Sequence, residues 1–232
     1  MAGIIYSLVL RPNPEIEVNS TAYRSTKTYD EAVTKAASGF KNRNKLTFDK
    51  NGLLDKLKTQ FPEVAAVRVD LPLVGSRPRV HIEIAEPALI LKGAEGTFGA
   101  SARLVVDSKG TVIGPSADFP SVKDLPLISD ETGFETVVGR SVLSRSDIDF
   151  ITTVIAQARA AKVPIASLAL PKLAQELDLR TTDRKYFVKF YLGGDALTQS
   201  GQFLAARQKF DSTKKQPNQY LDVRISGKIF FR

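Results

Sequence analysis

Leu53-Leu54-x-x-Leu57-x-x-x-Phe61-Pro62-Glu63-Val64 leads into Ala66-Val67-Arg68-Val69-Asp70-Leu71, and then into Val80-His81-Ile82-Glu83-Ile84-Ala85-Glu86-Pro87. Leu53, Leu54, Leu57 and Phe61 recur at helical spacing, and Pro62, which has no amide hydrogen to donate, stops that helix. Val67, Val69 and Leu71 then alternate with Ala66, Arg68 and Asp70, the period of a half-buried strand; Val80, Ile82 and Ile84 repeat the pattern against His81, Glu83 and Ala85. The seven residues Pro72 to Pro78 hold Gly75 between two prolines and predict a turn, so the two strands pair as a hairpin beside the helix.

Working outward, Ile16 and Val18 alternate with Glu15, Glu17 and Asn19, which predicts a first strand after Pro12 and Pro14. Thr28-Tyr-Asp-Glu31 fits a capping box opening a helix with Val33, Ala36, Ala37 and Phe40 on one face. Lys41 to Lys45 reads as a polar, basic connector. The first part of the chain is therefore β-α-α-β-β. Beyond Pro87, Gly93, Gly96 and Gly99 loosen the chain ahead of strands at Arg103–Val106 and Thr111–Ile113, with Asp107-Ser-Lys-Gly110 as their turn. Residues 114–140 read mainly as loops. Ser146-Asp-Ile-Asp149 suggests a second capping box, opening a helix with Ile148, Ile151, Ile155 and Ala158 inward and Pro164 at its end. Strands follow at about Ile165–Leu170, Leu177–Thr182 and Tyr186–Leu192. A helix near Asp195–Phe210 is expected to face inward through Leu197, Gly201 and Leu204, and the last strands are expected at Gln219–Ile225 and Lys228–Phe231. The fold class is α+β, with a β-rich second part flanked by two helices.

The 232 residues are 43% hydrophobic and 25% charged, the balance of an ordinary folded protein. Cysteine is absent and His81 is the one histidine, which excludes disulfides, thiolate sites, cysteine nucleophiles and multi-histidine metal clusters. The formal net charge is +8, and residues 200–232 carry seven basic groups against two acidic ones. Such a surface suits nucleic acid, anionic lipid headgroups or an acidic protein partner. Nucleic-acid readers interleave exposed aromatics with Arg and Lys, whereas Tyr186, Phe187, Phe190 and Tyr191 fall in a strand that reads as core, so no nucleic-acid partner is expected.

The candidate chemistry has plain structural explanations. Gly93-x-x-Gly96-x-x-Gly99 has neither the Lys-Ser/Thr of a phosphate loop nor the spacing of a dinucleotide fingerprint. Ser7 and Ser101 lack a nucleophile elbow, and only His81 could serve as base. Asp147 and Asp149 suit the first turn of a helix, where carboxylates complement the dipole. Glu15 and Glu17 suit a solvated strand face. No enzyme activity, cofactor or metal is expected.

The order of these elements resembles a POTRA domain, and its continuation resembles the extracytoplasmic part of the FtsQ/DivIB family of bacterial cell-division proteins. The resemblance rests on Leu57 and Phe61-Pro62-x-Val64 with Val67, then Ile82-x-Ile84 with Glu86-Pro87, and Val105-Val106-Asp107-x-x-Gly110. Asp118-Phe119-Pro120, Leu125-Pro126-Leu127-Ile128 and Tyr220-Leu-Asp-Val-Arg224 with Gly227 complete it. It covers roughly residues 14 to 232, with a POTRA domain at 14–87 and a β domain at 88–232.

The resemblance implies a non-enzymatic scaffold at the cell membrane, with its folded domains outside the cytoplasm, that holds FtsB/FtsL-like partners by adding a partner strand to its C-terminal edge. Ile225, Ser226, Gly227, Phe230 and Phe231 would line or approach that site. Adjacent on one strand, Phe230 and Phe231 point to opposite faces, so one is expected to pack inward and the other to remain available. The family also carries one transmembrane helix ahead of the POTRA domain. The apolar residues 3–10, too short to span a bilayer, would be that helix's outer end, residues 1–13 forming the end of an anchor and a linker. The short Ser226-Gly227 turn, the absence of tryptophan and the lack of an extension after Arg232 depart from better-known members. The alternative is a POTRA-containing transport or secretion component that binds extended polypeptide; it predicts repeated POTRA modules or a run of barrel strands, and the sequence has neither.

Overall fold

The computed structural model describes residues 8–73, 75–93, 95–96, 102–122, 124–172, 175–213 and 215–232. The chain divides into two compact units, Met1–Glu86 with Asp118–Lys123, and Pro87–Ala117 with Asp124–Arg232.

The first unit has the β-α-α-β-β order expected: β1 (Glu15–Val18), α1 (Thr26–Ala37), α2 (Lys50–Gln60), β2 (Val64–Asp70) and β3 (Arg79–Ile84). The sheet order is β1-β3-β2, with β1 parallel and β2 antiparallel to β3. Tyr29 and Val33 of α1 and Leu53 and Leu57 of α2 are buried, as are Val64, Val69, Val80, Ile82 and Ile84 of the sheet. Gly75 takes a φ of 104° in the hairpin connection.

Two helix starts differ from expectation. α1 begins at Thr26, with Ser25 at its N-cap, so Thr28 lies within the first turn and makes no capping box. Pairing Thr28 with Glu31 mistook an in-helix spacing for a start signal. The Lys41–Lys45 connector is preceded and partly formed by a single 3-10 turn, Phe40–Arg43. The segment Asp118–Lys123 belongs to this unit: the Phe119 ring stands edge-on to Tyr23 at 5.1 Å, and Ser121 Oγ donates to the Ala22 carbonyl at 2.7 Å.

The second unit contains β4 (Pro87–Lys92), β5 (Glu95–Gly96), β6 (Arg103–Asp107), β7 (Val112–Pro115), β8 (Leu127–Asp130), β9 (Glu135–Thr136), α3 (Arg145–Ala160), β10 (Ile165–Leu170), β11 (Glu176–Thr181), β12 (Phe187–Tyr191), α4 (Ala196–Thr213), β13 (Tyr220–Asp222) and β14 (Phe230–Phe231). Nine strands form one mixed sheet in the order β14-β13-β12-β11-β10-β8-β4-β6-β7, and β5 pairs with β9 separately. Leu89, Leu91, Ile128, Leu168, Leu177, Leu179, Val188, Phe190 and Leu221 pack with Ile151 and Ile155 of α3 and Phe203 and Phe210 of α4 in one core. Since strand side chains alternate, both helices cover the same face, and Asp178, Lys189 and Asp222 lie on the other. The Asp107–Gly110 turn is as expected: Asp107 Oδ1 accepts the Lys109 and Thr111 amides at 2.9 and 2.7 Å. Gly110 has a φ of 82°, and a Cβ there would collide with the Leu143 carbonyl.

Several expectations for this unit are corrected. β4 and β8 lie in stretches read as strand end and loop; both are interior strands, β4 an apolar run without polar alternation and β8 only the four residues Leu127–Asp130, of which Ile128 is buried. The capping box of α3 is Ser144 with Asp147, not Ser146 with Asp149: the Asp147 amide donates to Ser144 Oγ at 3.1 Å, and the Ser144 amide donates to Asp147 Oδ2 at 2.8 Å. α4 turns a different face inward. Leu197 and Gly201 are exposed, whereas Gln199, Ser200, Phe203, Ala206 and Phe210 are buried. Two interactions set this rotation. Gln199 Oε1 accepts the Tyr191 amide and its Nε2 donates to the Tyr191 carbonyl, both at 2.9 Å, while the Phe203 ring stands edge-on to Phe190 at 6.0 Å. The last strands are shorter than expected, because the chain turns out of the sheet after Asp222.

Candidate functional site

Asp195 starts the helix that supports the site: its side chain accepts the Thr198 amide at 2.7 Å, an N-cap that fixes where α4 begins. One turn further on, Gln202 projects from α4 to the hairpin between β13 and β14. Its Nε2 donates to the carbonyls of Ile225 at 3.0 Å and Lys228 at 3.1 Å, and its Oε1 accepts the Gly227 amide at 3.2 Å. The Lys228 amide closes the turn onto the Ile225 carbonyl at 3.1 Å, and Gly227 supplies the φ of 74° that the turn requires. Ile225, Ser226 and Gly227 are thus an exposed turn held from below.

β14 is the outermost strand of the nine and pairs antiparallel with β13, Leu221 opposite Phe231 and Asp222 opposite Phe230. Tyr220 and Arg232 exchange both main-chain bonds, at 3.1 and 3.3 Å. In an antiparallel ladder the bonded pairs alternate, so the N–H and C=O of Phe231 and of Ile229 point away from β13. That is the main-chain geometry of a strand able to receive another.

The two phenylalanines occupy opposite faces, as expected, but neither is buried. Phe230 is 50% exposed and Phe231 59%. The Phe231 ring stands on Phe210 of α4 at 5.2 Å, and that one contact cannot enclose a ring at the rim of a sheet. The rim therefore presents Ile225, Ile229, Phe230 and Phe231 together, all exposed apolar side chains. Of the aromatics read as core, Tyr186 and Phe190 are buried, but Tyr191 is exposed and Phe187 lies under Arg180, whose guanidinium sits 4.7 Å from its ring centroid.

Behind the rim, the face without helices carries a charge network that sequence reasoning missed. Glu176, nearly fully buried, accepts Lys189 Nζ and Arg224 Nη1, each at 2.7 Å. Arg224 also clasps Asp222 with two bonds, Nε to Oδ1 at 2.9 Å and Nη2 to Oδ2 at 2.6 Å. Burial alone would raise the Asp222 pKa, but the hydrogen bonds and charge of Arg224 carry it below the usual carboxylate range. Asp178 is the exception. Burial and the neighbouring Glu176 charge push its pKa up to about 6, and its Oδ1 finds no partner among the described residues. Alternating charges at Glu176, Asp178 and Arg180 signalled an outward strand face; their pairing with residues 13 and 48 positions along the chain carried no signal.

The remaining candidates are dispersed. His81 lies between Glu17 and Asp70, its ring nitrogens 2.8 and 3.1 Å from their carboxylates, across β1, β3 and β2. Glu15 pairs with Arg79 at 3.2 Å, and Asp149 lies 3.8 Å from Arg145. Ser7, Gly99 and Ser101 lie outside the described residues. A cavity of about 310 Å³ in the second unit is lined by Leu91, Leu170, Asp130, Asp147 and Glu176, where Asp147 is committed to the α3 cap and Glu176 to its two cations. Among the described residues no group of three or more His, Asp or Glu side chains is placed to hold a metal ion, and no helix is long and apolar enough to cross a membrane. Of the apolar stretch 3–10, residues 3–7 lie outside the described residues, Val9 bridges to Asn44, and Leu10 is buried.

Compared with protein-family models and with curated proteins, the chain matches none.

Proposed function

We propose that this chain is a non-enzymatic scaffold of the FtsQ/DivIB kind, holding FtsB/FtsL-like partners for septum assembly outside the cytoplasmic membrane by strand addition at β14. The observation that carries this reading is the outer edge of β14, to which no strand is paired among the described residues. It offers outward main-chain groups at Ile229 and Phe231 beside four exposed apolar side chains, and Gln202 holds the adjoining turn. Main-chain bonds to an added strand give affinity, and alternate side chains give register. Lys228, Arg232 and the basic surroundings favour an acidic partner segment, so association slows as salt rises.

The test is isothermal titration of the purified chain with the soluble FtsB/FtsL-like pair of its source organism, repeated with Ile229→Pro. Binding that Ile229→Pro abolishes while circular dichroism stays unchanged supports the proposal. No binding by the native chain, or equal binding by the variant, overturns it.

A further inference from the structure

Three exposed apolar side chains gather at one end of the first unit, far along the sequence from the β14 edge. Phe40 is 87% exposed, Leu46 79% and Leu73 92%. Main-chain bonds bring their loops together. The Leu10 amide donates to the Arg43 carbonyl at 2.9 Å, the Lys45 amide to the Leu8 carbonyl at 3.0 Å, and the Arg11 amide to the Ser76 carbonyl at 2.7 Å. Lys45 Nζ reaches the Leu73 carbonyl at 3.3 Å, tying the 3-10 turn's loop to the β2–β3 connection.

The same end carries Arg11, Lys41, Arg43, Lys45 and Arg77, five basic side chains on loops joined by these bonds, and none of them forms an ion pair among the described residues, whereas Arg24, Lys27 and Arg79 of the same unit do. Nearby Asp49 is committed to the Gly52 amide as the cap of α2. Cations left unpaired around protruding apolar side chains match an anionic lipid surface. The apolar side chains enter the acyl boundary, and long basic side chains keep their charges among the headgroups.

We propose that the loop Phe40–Leu46, with Leu73, Arg77 and Arg11 beside it, forms a surface that docks on anionic phospholipid headgroups. The proposal does not depend on the β14 edge or on the identity of its partner. It concerns the folded surface itself, apart from any binding by the apolar residues 3–10.

Co-sedimentation of the whole chain with vesicles tests it, using phosphatidylglycerol mixed with phosphatidylcholine against phosphatidylcholine alone. Binding is expected only to the anionic vesicles and is expected to fall as salt rises. Lys41→Glu/Arg43→Glu/Lys45→Glu should lower the partition coefficient by at least about tenfold. Phe40→Ser/Leu46→Ser/Leu73→Ser should lower it as well. All six side chains are at least partly exposed, and circular dichroism reports whether each variant keeps its fold; if a triple variant unfolds, its single substitutions are measured instead. Undiminished binding by both folded variants would assign lipid contact to residues 3–10 and overturn the proposal. Failure of the native chain to bind anionic vesicles would overturn it too. So would retention of duplex DNA that the charge variant loses and the apolar variant keeps, with vesicle binding following the same pattern, which marks a general polyanion contact.

Discussion

Gln202 holds Gly227: its Oε1 accepts the Gly227 amide at 3.2 Å, while its Nε2 donates to the carbonyls of Ile225 and Lys228 on either side. A helix side chain therefore satisfies three main-chain groups of an exposed turn. Gln202→Ala should cost only about 1 kcal/mol of stability, since these bonds are open to water. Its local effect should be larger. Hydrogen exchange of the Gly227 and Phe230 amides is expected to accelerate while β11 and β12 stay protected, and equal protection in the variant would show that the turn is held without Gln202.

Phe230 and Phe231 should separate by substitution. Phe230 shares its face with Asp222, whereas Phe231 stands on Phe210. Aromatic anchors at interfaces commonly contribute about 2 kcal/mol, or roughly thirtyfold in affinity. Phe230→Ala is expected to weaken partner binding by that order with the melting temperature unchanged. Phe231→Ala should weaken binding and lower the melting temperature as well. Calorimetric titration beside thermal denaturation reads both, and a melting temperature that falls with Phe230→Ala would place that ring in the core.

The first unit was readable because its strands keep one face wet: Val67, Val69, Val80, Ile82 and Ile84 alternate with polar residues, and Pro62 marks a helix end. β4 escaped because its apolar run shows no polar alternation, and β8 because four residues, two apolar and two polar, are too few to show a period; Pro87 and Pro126 also read as breaks. The inward face of α4 escaped for another reason. Leu204 packs partly buried against the core as expected, but Leu197, core by type, is exposed, because the rotation was set by Gln199 bonding to Tyr191 and by Phe203 on Phe190, side-chain contacts that no hydrophobic period announces. At the candidate edge, Ile225 to Phe231 could be located from the sequence. Which amides face outward depends on the Tyr220–Arg232 pairing, which only the fold supplies.

Asp178 should make stability depend on pH in a direction opposite to that of Asp222. Its folded pKa, about 6, lies above the ordinary value of 3.8, so the folded state binds the extra proton between those values. Its unfavourable contribution is therefore present above pH 6 and is relieved as pH falls toward 4. Asp222 is held low by Arg224, and its favourable contribution is lost only in stronger acid. Asp178→Asn should stabilise the protein by roughly 1 kcal/mol at pH 8 and by little at pH 4. Urea denaturation at the two pH values measures this, and a gain of equal size at both would remove Asp178 as the titrating group.

Glu63 gives the sharpest test of the first unit's core. It is fully buried, its Oε1 accepts Arg24 Nε at 2.7 Å and the Tyr29 hydroxyl at 3.1 Å, and its Oε2 has no partner among the described residues. Arg24 in turn lies between the rings of Phe61 and Phe119, 5.4 and 5.2 Å from their centroids. Burial and the adjacent Glu63 charge push the Tyr29 hydroxyl above its ordinary pKa, so it remains a donor throughout the neutral range. Removing one member of a buried ion pair commonly costs about 3 kcal/mol or more, because the other charge stays behind without compensation. Arg24→Ala should therefore destabilise by about that amount, and by more than Tyr29→Phe, which removes one hydrogen bond worth about 1.5 kcal/mol or more to a charged acceptor. In the double variant Arg24→Ala/Glu63→Gln the neutral amide no longer carries the stranded charge, so part of the loss should return. Chemical denaturation of the native chain, Arg24→Ala, Glu63→Gln and the double variant completes the cycle, and a double variant less stable than Arg24→Ala would mean that the uncompensated carboxylate is not what Arg24 neutralises.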